Sequence, residues 1–202
     1  LHFVIEENQE FLIQIKKHMS INKNIQTEEF QTAKVSILAS AHAMHDTYTA
    51  FVPALLPVLI EKFILTNTAA GLLTVFLRLP SLLQPLIGRF ADRKNLKLLI
   101  ILTPAFTGAA ISLLGIAPSY GFLAVLLLLA GISSASLHAV APVLGSTFSG
   151  NRLGRGMSFW MVGGELGRAL GPIITVTAIS YLQLEGLPWL MIAGVLTSYY
   201  LF

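Results

Sequence analysis

From Val35 to Phe202 the chain is a series of apolar runs broken by segments too short to hold more than a turn. A helix needs about 20 mostly apolar residues to cross roughly 30 Å of hydrocarbon. Six runs qualify as expected spans: Ser36–Ile60, Ala69–Ile87, Leu96–Ile116, Phe122–Phe148, Met157–Tyr181 and one opening at Pro188. The sixth reaches Phe202 after about 15 residues, roughly 22 Å of helix, and is expected to be cut short. Charged residues make up only 11% of the chain and its mean hydropathy is +0.73. A soluble domain carries about 25% charged residues, so this chain cannot cover a globule for water. In lipid every backbone polar group must be paired internally, which leaves helices or closed barrels. With runs of this length and no strand alternation, the expectation is an all-α membrane protein, a six-helix bundle over residues 35–202.

Residues 1–34 differ, with five Glu, four Lys and no long apolar run. They read as a polar cytoplasmic segment and not as a signal peptide, which would be basic and then apolar. The stretch from Met19 (Met-Ser-Ile-Asn-Lys-Asn-Ile-Gln) resembles a polar amino terminus, so residues 1–18 are expected to be non-native upstream sequence. A mature protein beginning before Met19, detected by mass spectrometry, would reject this.

Orientation follows from Lys and Arg, which accumulate on the cytoplasmic side. Lys16, Lys17, Lys23, Lys34, Arg89, Arg93, Lys94, Lys97, Arg152 and Arg155 fall on one side of the six expected spans, against Lys62 alone on the other. The amino terminus is therefore expected in the cytoplasm, with the protein in the inner or plasma membrane. The absence of cysteine excludes disulfides and thiolate metal sites. Basic residues do not cluster as a nucleic-acid surface would require, and no nucleophile–base pair suggests an enzyme. No cofactor is expected.

Ionisable groups inside spans are costly, at least ~2.5 kcal/mol each, and face a cavity or a partner. His42, His45 and Asp46 lie in the first span, Arg78 in the second, His138 in the fourth, and Glu165 and Arg168 in the fifth. Counted inward from one side at 1.5 Å per residue, all except the first two fall between about 12 and 16 Å deep. A polar slab at mid-membrane is where secondary transporters place substrate and coupling ions. Each residue also has a structural reading. Glu165 and Arg168, at i and i+3, can neutralise each other on one helix face, and Asp46 and Arg78 can pair between helices. His138 follows the small-residue run Gly131–Ala135, which lets helices approach closely. His42, His45 and Asp46 lack the second His/Glu set of a metal site, so no metal is expected.

Gly88-Arg89-Phe90-Ala91-Asp92-Arg93-Lys94 resembles the signature loop of the major facilitator superfamily, G-x-x-x-D-R followed by glycine and basic residues. Gly88, Asp92 and Arg93 match, whereas Asn95 and Leu96 stand where glycine and arginine are usual. Gly164-Glu165-Leu166-Gly167-Arg168-Ala169-Leu170-Gly171-Pro172 resembles the glycine-rich fifth-helix motif of that superfamily's exporters. Ala41-His42-Ala43-Met44-His45-Asp46 and Ser81-Leu82-Leu83-Gln84-Pro85 are similar to its fosmidomycin-resistance, or drug-efflux, branch. His138 also matches that branch, although Ala139 and Val140 replace its Pro-Glu.

The resemblance implies the amino-terminal half of a twelve-helix fold, built as a three-plus-three inverted repeat and completed by a missing carboxy-terminal six-helix half. Leu83-Gln84-Pro85-Leu86-Ile87 and Leu170-Gly171-Pro172-Ile173-Ile174 echo such a repeat, with Arg78 and Glu165 each seven residues before the proline. By the same resemblance Gly88, Asp92 and Arg93 would form a cytoplasmic gate. Gly164, Gly167, Gly171 and Pro172 would pack helices. Asp46 or Glu165 would exchange protons, and Arg78 or Arg168 would hold anionic substrate or tune a carboxylate. The implied activity is proton-coupled efflux of a small molecule or drug. Import of a small organic anion or sugar, and ligand sensing without transport, remain open alternatives.

Overall fold

In a computed structural model the described residues, 29–91 and 97–202, form α-helices and short 3₁₀ segments only. Arg93 and Asp92 of the expected gate, and residues 1–18, lie outside them. The helices are α1 (Thr32–Thr49), α2 (Phe51–Phe63), α3 (Asn67–Arg78), α4 (Gln84–Ala91), α5 (Lys97–Ser112), α6 (Tyr120–Ser149), α7 (Leu153–Leu182) and α8 (Met191–Leu201). They join end to end into six rods. Four of these, Thr32–Phe63, Asn67–Ala91, Leu98–Ile116 and Tyr120–Ser149, are long and apolar enough to cross a membrane. The fifth rod, α7, is 30 residues long, but its glycines and its charged pair dilute its apolar character. The sixth begins as 3₁₀ helix at Leu184–Leu190, and α8 itself spans 11 residues.

Prolines set the breaks. Pro53 has no N–H for the carbonyl of Thr49, and the first rod breaks between α1 and α2 at Ala50. Pro80 opens a 3₁₀ stretch, Leu79–Leu83, between α3 and α4, and Pro85 follows it as the second residue of α4. The expected echo between the second and fifth spans does not extend to the backbone, because α7 runs unbroken through Pro172. Thr66 and Ser119 cap α3 and α6, each accepting from the N–H three residues on. The first rod starts at Thr32, earlier than expected, and the N–H of Gln31 donates to Phe148 O at 3.0 Å.

α1 lies in the middle of the bundle, packed on α7 most extensively and also on α5, α6 and α8. The α1–α7 contact is a glycine face. A Cβ at Gly163 or Gly167 would collide with the backbone carbonyl of Ala39 or Ala43, and at Gly171 with Thr47 O and Ala50. At Gly164 it would strike the ring of His42. Small residues at such a face let backbones touch, which is how helices associate where lipid removes any hydrophobic drive. Gly131 does the same for α6, whose backbone abuts Leu77 O and the ring of Pro80. Large apolar side chains such as Leu82, Phe90 and Tyr181 point outward, an arrangement that suits acyl chains and not water.

Candidate functional site

Six of the seven expected ionisable residues form one connected cluster where α1, α6 and α7 meet. Arg168 is its hub. Its Nη1 donates to Oδ2 of Asp46, and its Nη2 and Nε donate to the two oxygens of Glu165, the latter at 3.3 Å. The Glu165–Arg168 pairing at i, i+3 is present, and Arg168 reaches across to α1 as well. The Asp46–Arg78 pair is not formed: the partner of Asp46 is Arg168. Asp46 is 3% exposed, so its charge is compensated inside the bundle.

Two histidines complete the surroundings of Asp46. Nε2 of His42 lies 3.3 Å from Oδ2, off the hydrogen-bond axis, and Nε2 of His138 lies 3.8 Å from Oδ1. The His42 ring stacks on Trp160 with centroids 3.7 Å apart, and its Nδ1 donates to Trp160 O at 2.9 Å. Nδ1 of His138 donates to Ser134 O at 2.9 Å. His45 is fully buried and turns toward α5, with Nδ1 3.1 Å from Thr107 Oγ1. Thr107 donates to Ser133 at 2.9 Å, and Ser133 to Thr103 O at 3.5 Å.

Arg78 reaches the site by another route. It lines a cavity of ≈160 Å³ together with Asp46, His138, Arg168, Ser81 and Gln84. Two larger grooves, of ≈440 and ≈470 Å³, hold none of these charged groups. Pro142 and Pro172 stand four residues after His138 and Arg168, so the helix supplies no N–H to either carbonyl. Sequence reasoning missed Trp160, Thr107, Ser133 and Thr103. Hydroxyl residues are ordinary in apolar helices, and Trp160 carries no spacing signal. One nitrogen each of His42 and His138 and one oxygen of Asp46 lie within 4.8 Å of one another. The Arg168 guanidinium pairs with the same carboxylate. Gly88 sits in α4 with open space around it, so nothing packs on it among the described residues.

Residues 38–202 match the family profile of the Major Facilitator Superfamily. The chain belongs to this superfamily. Its members are transporters and not enzymes, and with its apolar rods the chain is a multi-pass membrane protein. Among curated superfamily relatives, the fosmidomycin resistance protein of Escherichia coli (strain K12) is 28% identical over 160 residues, covering 79% of this chain and 39% of that protein. An uncharacterised MFS-type transporter of Bacillus subtilis (strain 168), YfnC, is 27% identical over 168 residues, covering 82% of this chain and 41% of that protein. The chain thus spans about two fifths of the length of the relatives it matches. No solved structure matches it at a significant level.

Proposed function

We propose that this chain forms the amino-terminal six-span half of a twelve-helix secondary transporter that exports a small molecule in exchange for protons. In this reading the six rods all cross the inner or plasma membrane as a three-plus-three inverted repeat. The amino terminus is cytoplasmic, and a second six-helix half closes the path. Protons, a small-molecule cargo and the missing half are its partners. The observation that carries the reading is Arg168, one guanidinium shared between a carboxylate on α1 and a carboxylate on its own helix. Such a group has two stable arrangements. With Asp46 it ties α7 to α1; with Glu165 alone it lets the glycine face of α7 slide along α1.

Efflux is supported by the relative named for fosmidomycin resistance. Proton coupling is supported by the site itself, since Asp46 without Arg168 needs another cation to neutralise it in a low-dielectric setting. Full-length protein in proteoliposomes, with an imposed proton gradient and fosmidomycin as the test cargo, examines both points. Asp46→Asn and Glu165→Gln should each abolish gradient-driven flux while leaving the protein inserted. Wild-type rates and pH dependence in both variants would reject the mechanism. A second reading, import of a small organic anion, is favoured by Arg78 lining the cavity beside Arg168. Flux that runs inward with the gradient would select it. Ligand binding without any flux would instead select a sensor.

A further inference from the structure

The two imidazoles beside Asp46 share one property. A carbonyl oxygen only accepts, so Nδ1 of His42 must carry the proton it gives to Trp160 O, and Nδ1 of His138 the one it gives to Ser134 O. His45 stands apart from them, with its Nδ1 on the Thr107 hydroxyl. Each of these two rings, when neutral, therefore turns a bare lone pair, at Nε2, toward Asp46. Nε2 of His42 and Nε2 of His45 are buried with no hydrogen-bond partner. Around the Asp46 carboxylate the pocket consists of acceptors, and Arg168 supplies the donors.

We infer that when Arg168 leaves Asp46 its place is taken by a proton bound to Nε2 of His138. The histidine, and not the carboxylate, is then the proton-receiving group. This rests on the proton-coupled reading above and says which atom takes the proton. His138 is chosen because its side chain is 31% exposed and lines the cavity, and because it faces Oδ1, the oxygen that Arg168 does not use. The step balances. A hydronium ion entering the cavity breaks one O–H bond to form Nε2–H and leaves as water, and the new imidazolium donates Nδ1–H to Ser134 O and Nε2–H to Asp46. One positive charge departs with the guanidinium and one arrives, so the buried carboxylate stays neutralised throughout. His42 acts as a positioning residue: its Nδ1 bond to Trp160 O keeps a donor out of the pocket.

The charged and titratable groups facing His138 are His42, His45 and Asp46 on α1, Arg78 at the end of α3, and Arg168 on α7, to which Glu165 is paired. Among the described residues α5 contributes only hydroxyls. Removing Arg168 removes repulsion and frees Asp46, so proton uptake should become easier. The test is ¹⁵N-histidine NMR of the full-length protein across pH, with signals assigned by His42→Gln, His45→Gln and His138→Gln. Neutral His138 should be the Nδ1–H tautomer. Arg168→Gln should raise the pH midpoint of His138 by about one unit or more, and Asp46→Asn should lower it. An Nε2–H tautomer at His138, or a midpoint that neither variant moves, overturns the inference. Should Arg168→Gln fail to fold, the tautomer and Asp46→Asn decide alone. Gradient-driven flux persisting alongside an unresponsive His138 would sink only this inference. A responsive His138 in a protein without such flux would sink only the transport reading.

Discussion

Asp46 and Tyr48 are two residues apart on α1, yet they belong to regions built on opposite plans. Around Tyr48 the bundle is filled by large apolar side chains, among them Phe51, Leu55, Leu114, Leu123, Leu127 and Leu187, all 2% exposed or less. Around Asp46 the contacts are glycine against backbone, stacked rings and shared charges, with a cavity alongside. Apolar filling is non-directional, and each group removed leaves a void, so it favours one arrangement. Glycine faces and ion pairs can be remade after a shift, because the carboxylates and the guanidinium have alternative partners within reach. The difference teaches a division of labour: the Tyr48 region holds the rods together, and the Asp46 region is free to change.

Leu114→Ala, in the apolar region, should cost about 2–5 kcal/mol of stability through the cavity it leaves. Unfolding of the full-length protein in detergent measures that cost. Flux per folded molecule and its pH dependence should stay at wild-type values. A changed pH profile in this variant would break the proposed division. Gly164→Ala should do the reverse. Its new methyl meets the His42 ring and must push it from Trp160 and Asp46. Overpacking of this kind costs roughly 1–3 kcal/mol, and transport should fall at least about tenfold, since tenfold needs only ~1.4 kcal/mol in the barrier. Normal transport in Gly164→Ala would mean that the placement of His42 is incidental.

These contrasts explain which parts of the molecule were legible in the sequence. Four rods announce themselves by length and hydropathy alone. The glycine spacing of α7 identified a packing face, because a missing Cβ has the same consequence wherever the helix sits. The Glu165–Arg168 pair was readable because i, i+3 geometry is local. The partner of Asp46 was not readable: choosing Arg168 over Arg78 depends on how α1, α3 and α7 are rotated and how closely they pack. The orientation of His45 toward Thr107 and Ser133 is likewise a property of three helices at once. The 3₁₀ stretch after Arg78 holds Pro80 and is followed by Pro85 in α4, but Pro172 leaves α7 helical. A proline thus permits a break without fixing its form.

A smaller effect is expected at the pin between the two regions. The hydroxyl of Tyr48 donates to Leu190 O at 2.6 Å and accepts from the N–H of Gly194 at 2.8 Å. It thereby stands inside what would otherwise be an i→i−4 backbone bond of α8. Its ring fits because Gly108 and Gly194 leave room on either side. Tyr48→Phe removes both bonds and lets the backbone bond close, so the loss should be modest, about 1 kcal/mol. A loss several times larger in the same unfolding assay would show that the phenol bridges the regions and does not merely seat the sixth rod.

The smallest effect belongs to the bundle's outer edge, where Lys62 Nζ donates to Gly115 O at 3.1 Å and to Glu185 Oε1 at 3.3 Å. Glu185 has its carboxyl held below the usual range by its own backbone N–H first and by Lys62 second. A carboxyl depressed in the folded state contributes stability above its unfolded pKa, and this is lost as pH falls through the folded value. The melting temperature in detergent should therefore drop slightly on the acid side of the carboxylate range. With Lys62→Met that drop should become shallower but not vanish, because the backbone donor remains. Both groups are substantially exposed, and exposed pairs contribute little, so a steep acid loss would have to come from elsewhere. If it persists in Lys62→Met and disappears in Asp46→Asn, the acid-sensitive element is the buried cluster and not the edge. Such a result would place the pH response of the whole bundle in the Asp46 region, the one free to change.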